Sequence, residues 1–147
     1  MATGFVGRTR GKKAYDALFV GGKQLATDVT FAIAAGGSNV CEVTLQVCDK
    51  DGVAIAGCQV LDVYLSDAAT GIGITGTSAS GTVQAKSACG TDVGILTAKK
   101  ALRIVTLADG SYILEITDSA KTGFYVVATT SVGTIEVSRV LATADFG

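Results

Sequence analysis

An all-β fold, an antiparallel sandwich of seven to eight short strands behind an extended N-terminal arm, is what this sequence predicts, and three observations predict it. Two Asp-Gly pairs, Asp51-Gly52 and Asp109-Gly110, each sit between runs that alternate apolar and polar residues, the pattern of a hairpin whose glycine supplies a positive φ. The 147 residues hold 19 glycines and no proline, where average usage would give about seven prolines, so glycine must make the turns. Thr, Val and Ile are abundant, as half-buried pleated surfaces prefer.

The strands follow in order. Val29, Phe31 and Ile33 alternate with Thr30 and Ala32 before a Gly36-Gly37-Ser38-Asn39 turn. Cys41, Val43, Leu45 and Val47 form the apolar face of the next strand, against Glu42, Thr44 and Gln46. After Asp51-Gly52 and Gly57, Leu61, Val63 and Leu65 repeat the alternation, and these two strands are predicted core. Residues 68–94 are small, polar and rich in glycine, with one short strand expected at Thr82-Val83-Gln84-Ala85. Connections of that length are functional excursions or extended arms. Leu102–Leu107, Tyr112–Thr117, Phe124–Thr130 and Ile135–Leu141 complete the set. Such short strands at turn-limited spacing imply two packed sheets rather than a βαβ fold. Phe146, next to last, is expected to dock on the body.

Residues 1–28 show neither period and form the arm, with 29–147 as the sandwich. Tyr15, Leu18 and Phe19 fit one face of a single helical turn. The arm carries Arg8, Arg10, Lys12, Lys13 and Lys23 against Asp16 and Asp28, so it is basic, while the remainder has seven basic and eleven acidic residues. Phe5, Val6, Tyr15, Leu18, Phe19 and Val20 are too apolar for a solvated tail. They read as anchors that bury against something, either their own domain or a neighbour, with Arg8, Arg10, Lys12 and Lys13 lying on an acidic or shared protein surface.

Composition narrows the chemistry. Histidine is absent, which removes the commonest general base and metal ligand and any Ser-His-Asp or Cys-His set. Cys41, Cys48, Cys58 and Cys89 match no zinc or iron–sulfur spacing; Cys48 and Cys58 flank a turn and stay open as free thiols or a hairpin disulfide. Gly71-Ile72-Gly73-Ile74-Thr75-Gly76 matches G-x-G-x-x-G in letters, but a dinucleotide site needs a helix to follow, and Thr77-Ser78-Ala79-Ser80-Gly81 is none. Asp49-Lys50-Asp51-Gly52 resembles the start of a calcium loop, yet its twelfth position would be Val60 rather than Glu; a turn is expected. Asp16, Asp62, Asp67, Glu115 and Asp118 could offer a carboxylate pair, but they fall on exterior strand positions or in turns. No catalytic residue, metal site or cofactor is therefore expected. Nucleic acid is disfavoured as a partner, because a stacking platform of interleaved aromatics is lacking. No apolar run reaches the length of a membrane span, and Met1–Arg10 lacks the apolar core of a secretory leader, so cytoplasmic synthesis is expected.

Val43–Gly57 with Leu61–Ser66, then Asp109–Asp118 and Lys121–Val127, resemble the strands and turns of bacterial Ig-like domains of the invasin type, over about two-thirds of the chain. The resemblance implies an Ig-like sandwich. A domain of that kind behind a basic, apolar arm is similar to capsid decoration (cement) proteins of tailed phages. It implies a virion structural protein on the capsid surface, bound across junctions of the major capsid protein and commonly self-associated as a trimer, with no small-molecule substrate. The alternative it implies is an Ig-like adhesion module of a phage tail or baseplate that contacts host glycans through residues 68–94. Twenty-eight extended residues would span roughly 90 Å, enough to cross a subunit boundary.

Overall fold

The computed structural model describes residues 18–20 and 22–147. Its strands are β1 (Leu18–Val20), β2 (Lys23–Leu25), β3 (Asp28–Ala35), β4 (Val40–Cys48), β5 (Val60–Ser66), β6 (Val83–Ala85), β7 (Thr91–Thr97), β8 (Ala101–Val105), β9 (Ser111–Thr117), β10 (Tyr125–Thr129) and β11 (Ile135–Val140), and one 3-10 turn, Thr143–Asp145, follows. Two antiparallel sheets face each other, one of order β3-β4-β9-β6 and one of order β11-β10-β5-β8-β7; β1 and β2 pair as a separate hairpin. The all-β prediction holds.

The alternation of β4 is reproduced residue by residue. Cys41, Val43, Leu45 and Val47 are buried, while Glu42, Thr44 and Gln46 face outward. Across the sandwich, Leu61, Val63 and Leu65 of β5 are also buried, and both sets join one apolar cluster with Tyr112, Leu114 and Ile116 of β9 and Val126 and Ala128 of β10. A one-residue slip in any of these strands would turn its apolar face to water, so the pattern fixes the register. Phe146 docks as expected: its side chain is buried in the same cluster, and Gly147 exchanges backbone bonds with Asn39 and Val40.

Three elements depart from the sequence reading. Residues 68–94 are not an extended arm. They hold β6, which pairs with β9, and the first half of β7, which pairs with β8. Between these, Gly90 lies against the Tyr112 ring, where a Cβ would come within 2.2 Å of it. Second, Leu18 and Phe19 lie on a strand rather than a helical turn, with Phe19 opposite Gln24. Third, Cys48 faces Ala54 through an isolated bridge, so the turn does not set it against Cys58, and all four cysteines are free thiols.

Candidate interaction surfaces

Three of the carboxylates that could have formed a catalytic pair, Asp62, Asp67 and Asp118, are engaged in structure. Asp118 is buried and accepts from the backbone N–H groups of Ser80, Ala120 and Thr122. Burial pushes its pKa up, but the N–H groups of Thr122, Ser80 and Ala120 outweigh that and hold it below the ordinary value. Asp62 pairs with Arg103 across β5 and β8 at 2.7 Å. Glu115 lies opposite Glu42 on neighbouring strands, and Lys86 reaches Glu42 at 2.8 Å. Asp49 closes its own turn by accepting from Asp51 and Val53 N–H, as the turn reading expected. Asp16 lies outside the described residues. Among the described residues no three His, Cys, Asp or Glu side chains converge as a metal site.

What the surface offers instead is apolar side chains on well-braced backbone. The loop from Asp67 to Thr77 covers the outer face of the five-stranded sheet. Gly71 sits over Val127 and Val137, so close that a Cβ would lie 2.8 Å from Val137. The loop is braced from below: the Tyr64 hydroxyl donates to the Gly71 carbonyl at 2.6 Å, and Thr75 N–H donates to the Leu65 carbonyl. Asp67 accepts from the Thr75 hydroxyl at 2.5 Å and from Gly76 N–H. Those two bonds hold its carboxyl below the usual range. On this frame Ile72 and Ile74 stand 79% and 48% exposed. The G-x-G-x-x-G letters thus belong to a folded loop in which Gly71 and Gly73 take positive φ, not to a phosphate cradle before a helix.

A second apolar surface lies where the sandwich is open. β6 and β7 are outer strands of the two sheets, and between them runs a groove of about 430 Å³ lined by Val83, Val93, Ile95 and Leu102 together with Thr82 and Lys99. Sequence reasoning missed this surface because β7 carries no alternation. Of its seven residues, Thr-Asp-Val-Gly-Ile-Leu-Thr, all but Gly94 are exposed, on both faces.

The arm residues singled out from the sequence divide at residue 18. Phe5, Val6, Arg8, Arg10, Lys12, Lys13 and Tyr15 lie outside the described residues. Leu18 and Phe19 fall on β1, and the hairpin they begin is tied to the body, since Gln59 Nε2 donates to the Gln24 carbonyl at 2.9 Å and Lys23 Nζ to the Cys58 carbonyl. Phe19 is 58% exposed and Val20 62%.

Known proteins do not narrow the choice. Comparison with family models, curated proteins and solved structures found no match to this chain.

Proposed function

We propose that the protein is a structural component of a virion, a capsid decoration protein with an Ig-like sandwich. Its N-terminal segment grips the major capsid protein across subunit junctions and stabilises the shell. The observation that carries this reading is the β1–β2 hairpin. It is held to the sandwich by hydrogen bonds from Gln59 and Lys23, yet it leaves Phe19 and Val20 largely in solvent. A phenylalanine and a valine fixed in place but unburied are suited to an anchor that completes its packing on another protein. The basic residues Arg8, Arg10, Lys12 and Lys13 precede that anchor in the sequence, where they would pair with acidic groups on the bound surface. A copy that binds only assembled shell stabilises assembly by mass action.

The adhesion reading has less support. Glycan contact favours exposed aromatics, and the exposed large apolar side chains of the Asp67–Thr77 loop are the aliphatic Ile72 and Ile74.

The test is truncation. Removing Met1–Val20 should leave a folded sandwich, by circular dichroism, that no longer co-sediments with assembled shells of its capsid protein. Raising salt to about 1 M, where charges are screened beyond ~3 Å, should weaken binding by the intact chain only in part, because apolar burial is insensitive to screening. Undiminished binding by the truncated chain would overturn the proposal.

A further inference from the structure

The two Asp-Gly pairs carry the same chemical liability, and the fold treats them differently. An aspartate followed by glycine can close on itself. The glycine backbone nitrogen bonds to the aspartate Cγ, one carboxyl oxygen leaves as water with the amide proton, and a five-membered imide remains. One water then reopens the ring. Added at the original main-chain carbonyl, it breaks that carbonyl's bond to nitrogen and leaves the backbone running through Cγ, which is isoaspartate, with no net gain or loss of atoms. Glycine favours the closure because it has no Cβ and its backbone angles are permissive. The peptide unit between the two residues must rotate out of its turn for the nitrogen to reach Cγ, so the rate follows the population of the locally opened turn.

At Asp109-Gly110 that peptide unit is pinned. Its carbonyl accepts from Gln46 Nε2 at 3.1 Å, and its N–H donates to the Leu107 carbonyl at 2.9 Å. The carbonyls on either side are held too, that of Ala108 by Gly57 N–H at 2.6 Å and that of Gly110 by Val47 N–H at 3.0 Å. Gln46, Val47 and Gly57 all lie far off in the sequence, and Gly110 itself is buried. At Asp51-Gly52 the bonds are local. Gly52 N–H donates to the Asp49 carbonyl at 3.1 Å, Asp49 N–H donates to the Val53 carbonyl at 2.9 Å, and Asp49 Oδ1 accepts from Asp51 and Val53 N–H. The Asp51 carbonyl accepts no hydrogen bond from the described residues, and Gly52 is exposed. Lys50 Nζ reaches both Asp51 oxygens, at 2.9 and 3.0 Å. The Asp51 side chain is nonetheless 68% exposed, and an ion pair open to water holds weakly. We propose that Asp51 is a site of spontaneous isoaspartate formation and that the fold protects Asp109 from the same reaction. The product puts one more carbon into the backbone of the turn that follows β4, and it disrupts the spacing by which Asp49 Oδ1 reaches the N–H groups of Asp51 and Val53.

Ageing the full chain in neutral buffer at physiological temperature tests this, whatever the N-terminal segment binds. Isoaspartate is read by enzymatic methylation with an isoaspartyl methyltransferase and radiolabelled S-adenosylmethionine, followed by peptide mapping. Label should accumulate at residue 51 and exceed that at 109 by roughly 25-fold or more, because opening the second turn breaks at least two further hydrogen bonds and each lowers the open population by roughly five-fold. In denaturing urea the two sites should label alike, since the contrast belongs to the fold. Gln46→Ala, which releases the Asp109 carbonyl, should raise the label at 109 by roughly five-fold and leave 51 unchanged. Asp51→Glu, whose ring would need six members, should remove the label at 51. Label at 109 equal to or above that at 51 in the folded chain, no label at 51 under conditions where the urea-treated chain acquires it, or a residue 109 indifferent to Gln46→Ala would each overturn the proposal.

Discussion

The two Asp-Gly turns provide a controlled experiment, because the same dipeptide with the same backbone angle sits in two different surroundings. Gly52 and Gly110 both adopt φ of 81°. At Gly52 a Cβ would meet nothing within 4 Å. At Gly110 it would lie 2.1 Å from the Ile55 carbonyl oxygen, 2.7 Å from Val47 Cγ2 and 2.9 Å from Gln46 Nε2. The Ile55 carbonyl has little freedom to retreat, since Ile55 N–H donates to the Val47 carbonyl at 2.9 Å and Gly57 N–H to the Ala108 carbonyl at 2.6 Å. Gly52→Ala therefore carries only the left-handed penalty of about 1–2 kcal/mol. Gly110→Ala carries that penalty plus overpacking of about 1–3 kcal/mol, for a loss of about 2–5 kcal/mol. At roughly 3 °C per kcal/mol for a domain this size, the melting midpoint should fall by about 3–6 °C for Gly52→Ala and about 6–15 °C for Gly110→Ala. Urea and thermal denaturation followed by far-UV circular dichroism would measure both. Equal losses, or a larger loss at Gly52, would refute the argument that the Ile55 carbonyl sets the difference.

Two further outcomes follow from the polar network. Asp145 is held at about 2 by the Arg139 guanidinium, against burial that raises it, with further help from Ala142 N–H. A carboxyl lowered in the fold contributes stability that is fully present above its unfolded value of 3.8 and is lost as pH falls through about 2. That contribution is at most about 2 kcal/mol, reduced by solvent screening because Arg139 is half exposed. Arg139→Gln should flatten stability against pH in this window, and an unchanged acid limb in urea titrations would contradict it. Tyr112→Phe should cost about 1–2 kcal/mol, because the buried hydroxyl donates to Asp92. A variant as stable as the parent in urea would show that bond to be inconsequential.

Legibility differed sharply between strands. β4 and β5 were plain in the sequence because each is buried on one face, so that selection for burial writes a period of two into Cys41–Val47 and Leu61–Leu65. β7 left no such mark. Exposed on both faces, carrying Gly94 and shifted twice against β8, it has no face that burial could pattern. Residues 68–94 read as an excursion because their side chains are small, yet smallness is what the packing uses: Ala79 is buried in the core, and Gly81 and Gly90 lie against Thr117 and Tyr112. The carboxylates were expected at exterior positions or in turns. That holds for Asp62, Asp67 and Glu115, and Asp118 opens the turn closed by Lys121 N–H; what the sequence did not show is that Asp118 is buried there, its carboxylate satisfied by three backbone N–H groups.

The sequence by itself determined the fold class, the faces of the inner strands and the positions of the reversing turns, because alternation and glycine-permitted angles are local properties. Only the tertiary structure decided which strands end the two sheets and which apolar residues remain in water. It also decided why Gly110 is confined while Gly52 is free. These depend on what residues distant in the chain bring alongside, as Ile55 does for Gly110 and Tyr112 for Asp92, and no local pattern records such a neighbour.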